Sequence, residues 1–204
     1  MTILIIDDHA LIRDGLKRLL APLADGDILE AANGRDALAL LTGVKPRLVI
    51  LDLNLPGLGG LELLRRMIQK GAGPILVLSM HAEPLYAKRA LEAGAAGYMT
   101  KNASPDELLV AARRVMAGGR YVEAELAQAL AAPVLGGGLP LDALTVRELE
   151  IMRLLAKGAG LAEIAEAVGV GYKTVANNCS QIKSKLGVSR TADLVRLAIE
   201  TGVT

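Results

Sequence analysis

The chain has 204 residues, 52% of them apolar, a formal net charge of +1 and one cysteine. That apolar content excludes a globally disordered chain, the near-neutral total makes no general case for nucleic acid, and the lone Cys179 excludes an internal disulfide and a cysteine metal cluster. With no Trp, no Phe and four Tyr, the core must be built from Leu, Val, Ile, Ala and Met, and stacking platforms for single-stranded nucleic acid are lacking. The opening MTILIIDD has no basic region and reaches acids at Asp7 and Asp8, unlike a signal peptide. No apolar run approaches the roughly 18 residues of a membrane span. The expectation is a cytoplasmic protein with no membrane partner.

Short apolar runs then alternate with helix-like segments. Ile3 to Ile6 is a β-branched run, and Ala10 to Leu20 carries Leu11, Leu16, Leu19 and Leu20 near helical spacing. Ile28 to Ala31 is a weaker strand, followed by a helix over Asp36 to Leu41. Leu48 to Leu51 and Ile75 to Leu78 are buried-strand runs, each followed by a helix, Leu61 to Ile68 and Leu85 to Leu91. Gly97 to Met99 is a short strand, and Pro105 to Met116 a helix with Ser104 and Pro105 at its start. Apolar strands spaced by helices predict a (βα)₅ fold with a parallel sheet covered on both faces.

Ligands of such sheets sit at the carboxyl ends of the strands. The polar residues there are Asp7, Asp8, Asp52, Ser79 and Lys101, contributed by four strands. Carboxylates gathered at one edge repel each other and need a cation, and hard oxygen donors suit Mg²⁺. Asp52, at the tip of a central strand, can attack phosphorus to give an acyl phosphate, with Ser79 and Lys101 available to its oxygens. Each of these residues alone reads as a cap, a turn or a solvated charge; it is their coincidence in a regular repeat that points to phosphoryl chemistry. No phosphate loop of the nucleotide-binding kind occurs at a strand–helix turn.

Residues 1–118 resemble a CheY-like receiver domain of the flavodoxin-like kind. The matching features are Asp7–Asp8, LDLNLPGLGG, LSMH, GAAGYMTK and the helix that follows. The resemblance implies Asp52 as phosphoacceptor, Asp8 and Asp52 as direct Mg²⁺ ligands, Asp7 acting through water, and the Asn54 carbonyl as a further ligand. It also implies that Ser79 and Lys101 contact the phosphoryl group, that Tyr98 is the switch aromatic, and that Pro56 and Gly57 shape the loop beside the site. Lys101 is expected to couple the phosphoryl group to a distant face rather than to build the site.

Arg120 to Leu130 reads as a further helical segment, and APVLGGGLPL, with Gly136 to Gly138 between two prolines, as a flexible linker. Beyond it Thr145 and Glu148 have capping-box spacing, opening a helix to about Ala156 with Leu149, Met152 and Leu155 inward. A short helix to Ala167, a turn at Gly169, a helix from Tyr172 to Leu186 and a last helix over Arg190 to Ile199, capped by Ser189, complete the pattern. Gly171 to Leu186 holds Lys173, Lys183 and Lys185 and no acid. This pattern alone fits a helix-turn-helix and a DNA-indifferent packing module equally.

LTVRELEIMRLLAKG, EIAEAVGV, KTVANNCSQIKSKLGV and RTADLVRLA are similar to the LuxR-type DNA-binding domain, and the order of the two modules resembles the NarL/FixJ class of response regulators. The resemblance implies a recognition helix opened by Lys173 and Thr174, with Ala176, Asn177 and Ser180 toward the major groove and Lys183 toward phosphate. Leu194 and Leu197 are assigned to core or dimer packing. Gly171 stands where Ser or Thr is usual, and Asn178 where His or Tyr is common.

The resulting reading is an α/β receiver (1–120), a connecting helix and linker (121–141) and an all-α helix-turn-helix domain (142–204). It implies a transcription regulator rather than an effector enzyme, one that takes part in its own phosphoryl transfer and dephosphorylation. Its partners are a sensor histidine kinase, double-stranded DNA and, when phosphorylated, a second copy. A protein-interaction module with a vestigial DNA domain is the alternative. Zinc is rejected, because His9 and His81 have no cysteine or third histidine to complete a site.

Overall fold

The structure, a computed structural model, describes residues 2–55, 59–80, 82, 84–131, 140–201 and 203. The chain forms two compact units, Met1–Ala132 and Pro133–Thr204. Pro56, Gly57, His81 and the Gly136–Gly138 stretch lie outside the described residues.

In the first unit the order is β1 (Ile3–Ile6), α1 (Ala10–Leu20), β2 (Ile28–Ala31), α2 (Gly34–Leu40), β3 (Leu48–Asp52), α3 (Gly60–Gln69), β4 (Ile75–Ser79), α4 (Pro84–Glu92), β5 (Gly97–Thr100), α5 (Pro105–Met116), β6 (Tyr121–Val122) and α6 (Ala124–Ala131). All the strands pair in parallel in the order β2-β1-β3-β4-β5-β6. Strands β1, β3, β4 and β5 are buried at every position, as a sheet covered on both faces requires. Alternate residues Ile3, Ile5, Leu48, Ile50, Leu76 and Leu78 pack with Leu16 and Leu20 of α1 and with Leu108, Ala111 and Val115 of α5. Local chemistry starts the helices: Asn33 accepts from the Asp36 N–H at the head of α2, and Ser104 from the Glu107 N–H at the head of α5.

The expected five strands are present, and a sixth joins them. Strand β6 pairs with β5 and α6 lies on α4, so the compact unit runs to Ala132 rather than to 120. Of residues 121–123, expected to be helical, Tyr121 and Val122 form a strand and Glu123 lies between that strand and α6. Gly97 makes this pairing possible, since a Cβ there would stand 2.9 Å from the Tyr121 carbonyl oxygen and 2.8 Å from Leu76 Cδ1.

The second unit holds α7 (Val146–Ala156), α8 (Leu161–Val168), α9 (Tyr172–Leu186) and α10 (Thr191–Glu200). Its core is Leu149, Ile151, Met152, Ile164, Val168, Val175, Cys179, Ile182, Leu194 and Ala198. The expected capping box opens α7, with Thr145 Oγ1 and the Glu148 carboxylate each accepting the other's N–H. Gly169 (φ 68°) and Gly187 (φ 66°) end α8 and α9 in the left-handed region, where glycine is free of Cβ strain. The cap of α10 differs from expectation. Arg190, not Ser189, holds the position, and the Asp193 carboxylate accepts its N–H at 3.3 Å. Leu194 is core, whereas Leu197 is only partly covered. Among the described residues no helix is long and apolar enough to cross a membrane.

Candidate functional site

Sheet topology assembles the first site. The strand order reverses direction between β1 and β3, which is where a doubly wound sheet opens a crevice at its carboxyl edge. Ile6 pairs with Leu51, Asp52 with Leu78 and Ser79 with Thr100. That register brings Asp7, Asp8, Asp52, Ser79 and Lys101 to one edge, as the sequence pattern predicts. Asp7, Asp52 and Ser79 are buried, at 2%, 1% and 0% exposure, while Asp8 and Asn54 are exposed.

Lys101 reaches 2.6 Å from Asp7 Oδ2 and 2.6 Å from Asp52 Oδ2. Its ammonium therefore bridges the two buried carboxylates. This corrects the expectation that Lys101 only reports on the site, because in this structure it also builds it. The second Asp52 oxygen, Oδ1, accepts the Asn54 N–H at 2.9 Å. Asp7 Oδ1 accepts the His9 N–H, and the Asp7 carbonyl accepts from Arg13 Nη1 at 2.8 Å. Gly60 fixes the far side of the loop, where a Cβ would lie 2.4 Å from Leu53 Cα and 2.4 Å from the Leu53 carbonyl oxygen. Tyr98 is fully buried on β5.

Burial pushes the Asp52 carboxyl above its ordinary range, against the pull of Lys101 and the Asn54 N–H. Burial would also lower Lys101, but the Asp52 and Asp7 carboxylates outweigh it and hold the ammonium above its ordinary value. Asp7, Asp8, Asp52 and His9 each bring a donor atom within 4.8 Å of the others. Three carboxylates against one ammonium leave two negative charges, a balance that a divalent cation meets.

The second site is the outer face of α9. Val175, Cys179 and Ile182 are buried, so at 100° per residue the opposite arc carries Lys173, Asn177 and Ser180, all exposed. Thr174 is exposed on one flank; Ala176 and Lys183 are half-buried on the other. The same helix exposes Tyr172 (58%), Gln181 and Ser184, which the motif reading passed over and a helical wheel would have found. Lys185 leaves the basic set, because its Nζ lies 2.7 Å from Oε2 of the buried Glu148. Asn178 donates to the Thr174 carbonyl at 2.8 Å, and the Ser180 hydroxyl to the Ala176 carbonyl at 3.2 Å. Gly171 supplies no cap to α9.

A doubly wound parallel sheet with a buried aspartate–lysine cluster at its switch point, followed by a helical unit, is the architecture of a receiver-type regulatory protein. Residues 3–113 match the model of the response regulator receiver domain, and residues 142–198 that of the bacterial regulatory proteins of the luxR family. The chain is 44% identical to the transcriptional activator protein ExaE of Pseudomonas putida, covering 100% of this chain and 98% of that protein. It is 34% identical to the response regulator UvrY of Escherichia coli K12, covering 100% and 95%. A solved structure of RcsB from Salmonella enterica serovar Typhimurium has the same fold, with a TM-score of 0.62 at 24% identity over 97% of this chain and 98% of that one. The chain belongs to the response regulators of the NarL/FixJ type, transcription regulators with a receiver and a LuxR-type DNA-binding domain.

Proposed function

We propose that Asp52 accepts a phosphoryl group from a sensor histidine kinase and that this modification controls how α9 binds DNA. The observation that carries the reading is the buried Asp7–Lys101–Asp52 bridge at the switch point of the sheet. A carboxylate oxygen of Asp52 attacks phosphorus and forms a P–O bond. The bond from phosphorus to the donor breaks, and its electron pair leaves with the donor. Lys101 and the Ser79 hydroxyl then contact the phosphoryl oxygens, and Tyr98 follows as the switch aromatic. Asp8, Asp52 and the Asn54 carbonyl would hold Mg²⁺, with Asp7 behind them. Mg²⁺, when bound, offsets the negative charge of the phosphoryl oxygens.

On DNA, Ala176, Asn177 and Ser180 face base edges while Lys173, Thr174 and Lys183 meet the backbone. Tyr172 shares the flank of Ala176 and Lys183 and joins that contact surface. A single helix offers few contacts, so two copies on adjacent half-sites, ~34 Å apart on B-DNA, gain avidity. A solved structure of RcsB has two dimers bound to two parallel DNAs, which agrees with this reading. The test is incubation with a small phosphodonor and Mg²⁺. The expected result is a base-labile mass gain of one phosphoryl group that is absent from Asp52→Asn and suppressed by chelator. Equal labelling of Asp52→Asn would contradict the assignment.

A further inference from the structure

We infer that Glu123 is a positioning residue for the Lys101 segment and that it passes the phosphorylation state of Asp52 to α6; the inference rests on the phosphoacceptor reading above. Strand β6 is only two residues long. Its ladder with β5 ends with the Glu123 N–H donating to the Tyr98 carbonyl at 3.3 Å. In a longer parallel pair, the next bond would run from the Thr100 N–H to the Glu123 carbonyl. That carbonyl is already taken by the Ala127 N–H at 2.9 Å, because the chain turns there into α6. The Glu123 side chain takes over the missing role. Oε2 accepts the Thr100 N–H at 2.8 Å, and Oε1 the Thr100 hydroxyl at 3.3 Å. Thr100 is 6% exposed, so solvent is a poor substitute for this acceptor.

Successive N–H groups of a strand point to opposite neighbours. Here the Thr100 N–H is tied to Glu123, and the Lys101 N–H to the Ser79 carbonyl at 2.8 Å. The residue that bridges Asp7 and Asp52 is thus held from the β4 side by a site residue and from the β6 side by the residue that precedes α6. Phosphorylation converts the Asp52 carboxylate that Lys101 now meets at 2.6 Å into a mixed anhydride, whose negative charge lies on the phosphoryl oxygens. The ammonium must then re-pair with phosphoryl oxygens, and the Thr100–Lys101 backbone moves with it. A charge-assisted bond to a buried N–H follows that movement more faithfully than a solvated contact would. The Glu123 backbone starts α6, and Leu126, 4% exposed, anchors that helix. Helix α6 is the last element of the first unit, so a shift at Glu123 reaches the end of the receiver.

The test is amide chemical-shift mapping on the full chain, with Mg²⁺ and beryllofluoride as the acyl-phosphate mimic. In the unmodified chain Ser79, Thr100, Lys101 and Leu126 are expected to shift together. In Glu123→Ala, Ser79 and Lys101 should still shift while the Leu126 shift falls at least threefold. Glu123→Ser supplies a helix-capping oxygen that is too short to reach Thr100, and should behave like Glu123→Ala even if the latter folds poorly. Glu123→Gln keeps an acceptor and should retain at least half of the Leu126 response. A purely structural role for Glu123 predicts lower stability with the Leu126 response intact in the serine variant, and that result would overturn the inference. So would Ser79 and Lys101 shifting without Leu126 in the unmodified chain. Failure of Ser79 and Lys101 themselves to respond would overturn the phosphoacceptor reading, and the inference with it.

Discussion

In the receiver the side chains of Asp7, Asp52 and Lys101 are buried and tied to one another, while Asp8 beside them is exposed. Asp7, Asp52 and Lys101 form one ionic cluster, and its members come from three strand ends. In the helical unit Lys173, Thr174, Asn177 and Ser180 of α9 stand outward, while Lys185 is bound to the buried Glu148. The two units divide regulation accordingly. A buried cluster is sensitive to one added charge, because low dielectric magnifies it. An exposed face trades water and counterions for DNA without reorganising its own core. In the receiver, substitution of a site residue should disturb stability and function together; on α9 it should disturb binding alone.

The largest expected effect tests the receiver half of that contrast. Lys101→Ala leaves Asp7 and Asp52 facing each other without their common partner. Breaking a buried ion pair from one side costs about 3–5 kcal/mol, so the receiver's urea transition should fall by that order, and Mg²⁺ should restore part of it. An unchanged midpoint without metal would show that the bridge is not a stabilising element. Phosphoryl acceptance should persist at a reduced level, while the gain in DNA binding on phosphorylation should be lost.

An intermediate effect separates two lysines on one helix. Lys183→Ala should reduce the slope of log K against log salt by about 0.9 and leave the unfolding curve of the helical unit in place. Lys185→Ala should do the reverse. Its partner Glu148 is 1% exposed and also caps α7, but Lys185 is 36% exposed; after discounting for solvent screening, the loss is about 1 kcal/mol. Burial pushes Glu148 up, but bonds from Lys185 and Thr145 outweigh it and leave it below the ordinary value of 4.5. A depressed carboxyl stabilises the fold above its ordinary value, and that contribution is lost as pH falls through the folded value. The helical unit should therefore lose stability below pH 4.5, less steeply in Lys185→Ala. Identical acid transitions in the two chains would remove Lys185 from this account.

The smallest expected effect lies at Gly171. A Cβ there meets nothing nearer than Thr174 Oγ1 at 3.9 Å, so Gly171→Ser fits and offers α9 the cap it lacks. The gain should be a few tenths of a kcal/mol, read as a small rise in the midpoint of the helical unit. A loss of stability would mean that serine cannot adopt the extended N-cap backbone seen here.

The receiver's site was legible in sequence for a geometric reason. Parallel strands in register bring their carboxyl ends together, so the residues after each apolar run must meet, as Asp7, Asp52, Ser79 and Lys101 do. What escaped were contacts with no period to betray them. Strand β6 is too short to show alternation, and the Glu123–Thr100 bond joins residues 23 positions apart. The commitment of Lys185 to Glu148 spans 37 positions and is invisible in a count of basic residues. On α9 the exposed arc was readable, yet motif matching took Lys173, Thr174, Ala176, Asn177, Ser180 and Lys183 and passed over Tyr172, Gln181 and Ser184. At α10 serine looked like the better cap, but Asp193 reaches back to the Arg190 N–H and so sets the start of the helix one residue later.

The proposed control runs from modification of the buried cluster to the exposed helix. Its most direct test is a titration of duplexes selected from a random pool by the phosphorylated protein, comparing two half-sites with one half-site scrambled, alongside sedimentation of the complexes. The account predicts that phosphorylation tightens binding to the intact duplex, that two chains bind per duplex, and that Asp52→Asn shows no response to the phosphodonor. Equal affinity for both duplexes in a one-to-one complex, unchanged by phosphorylation, would contradict it.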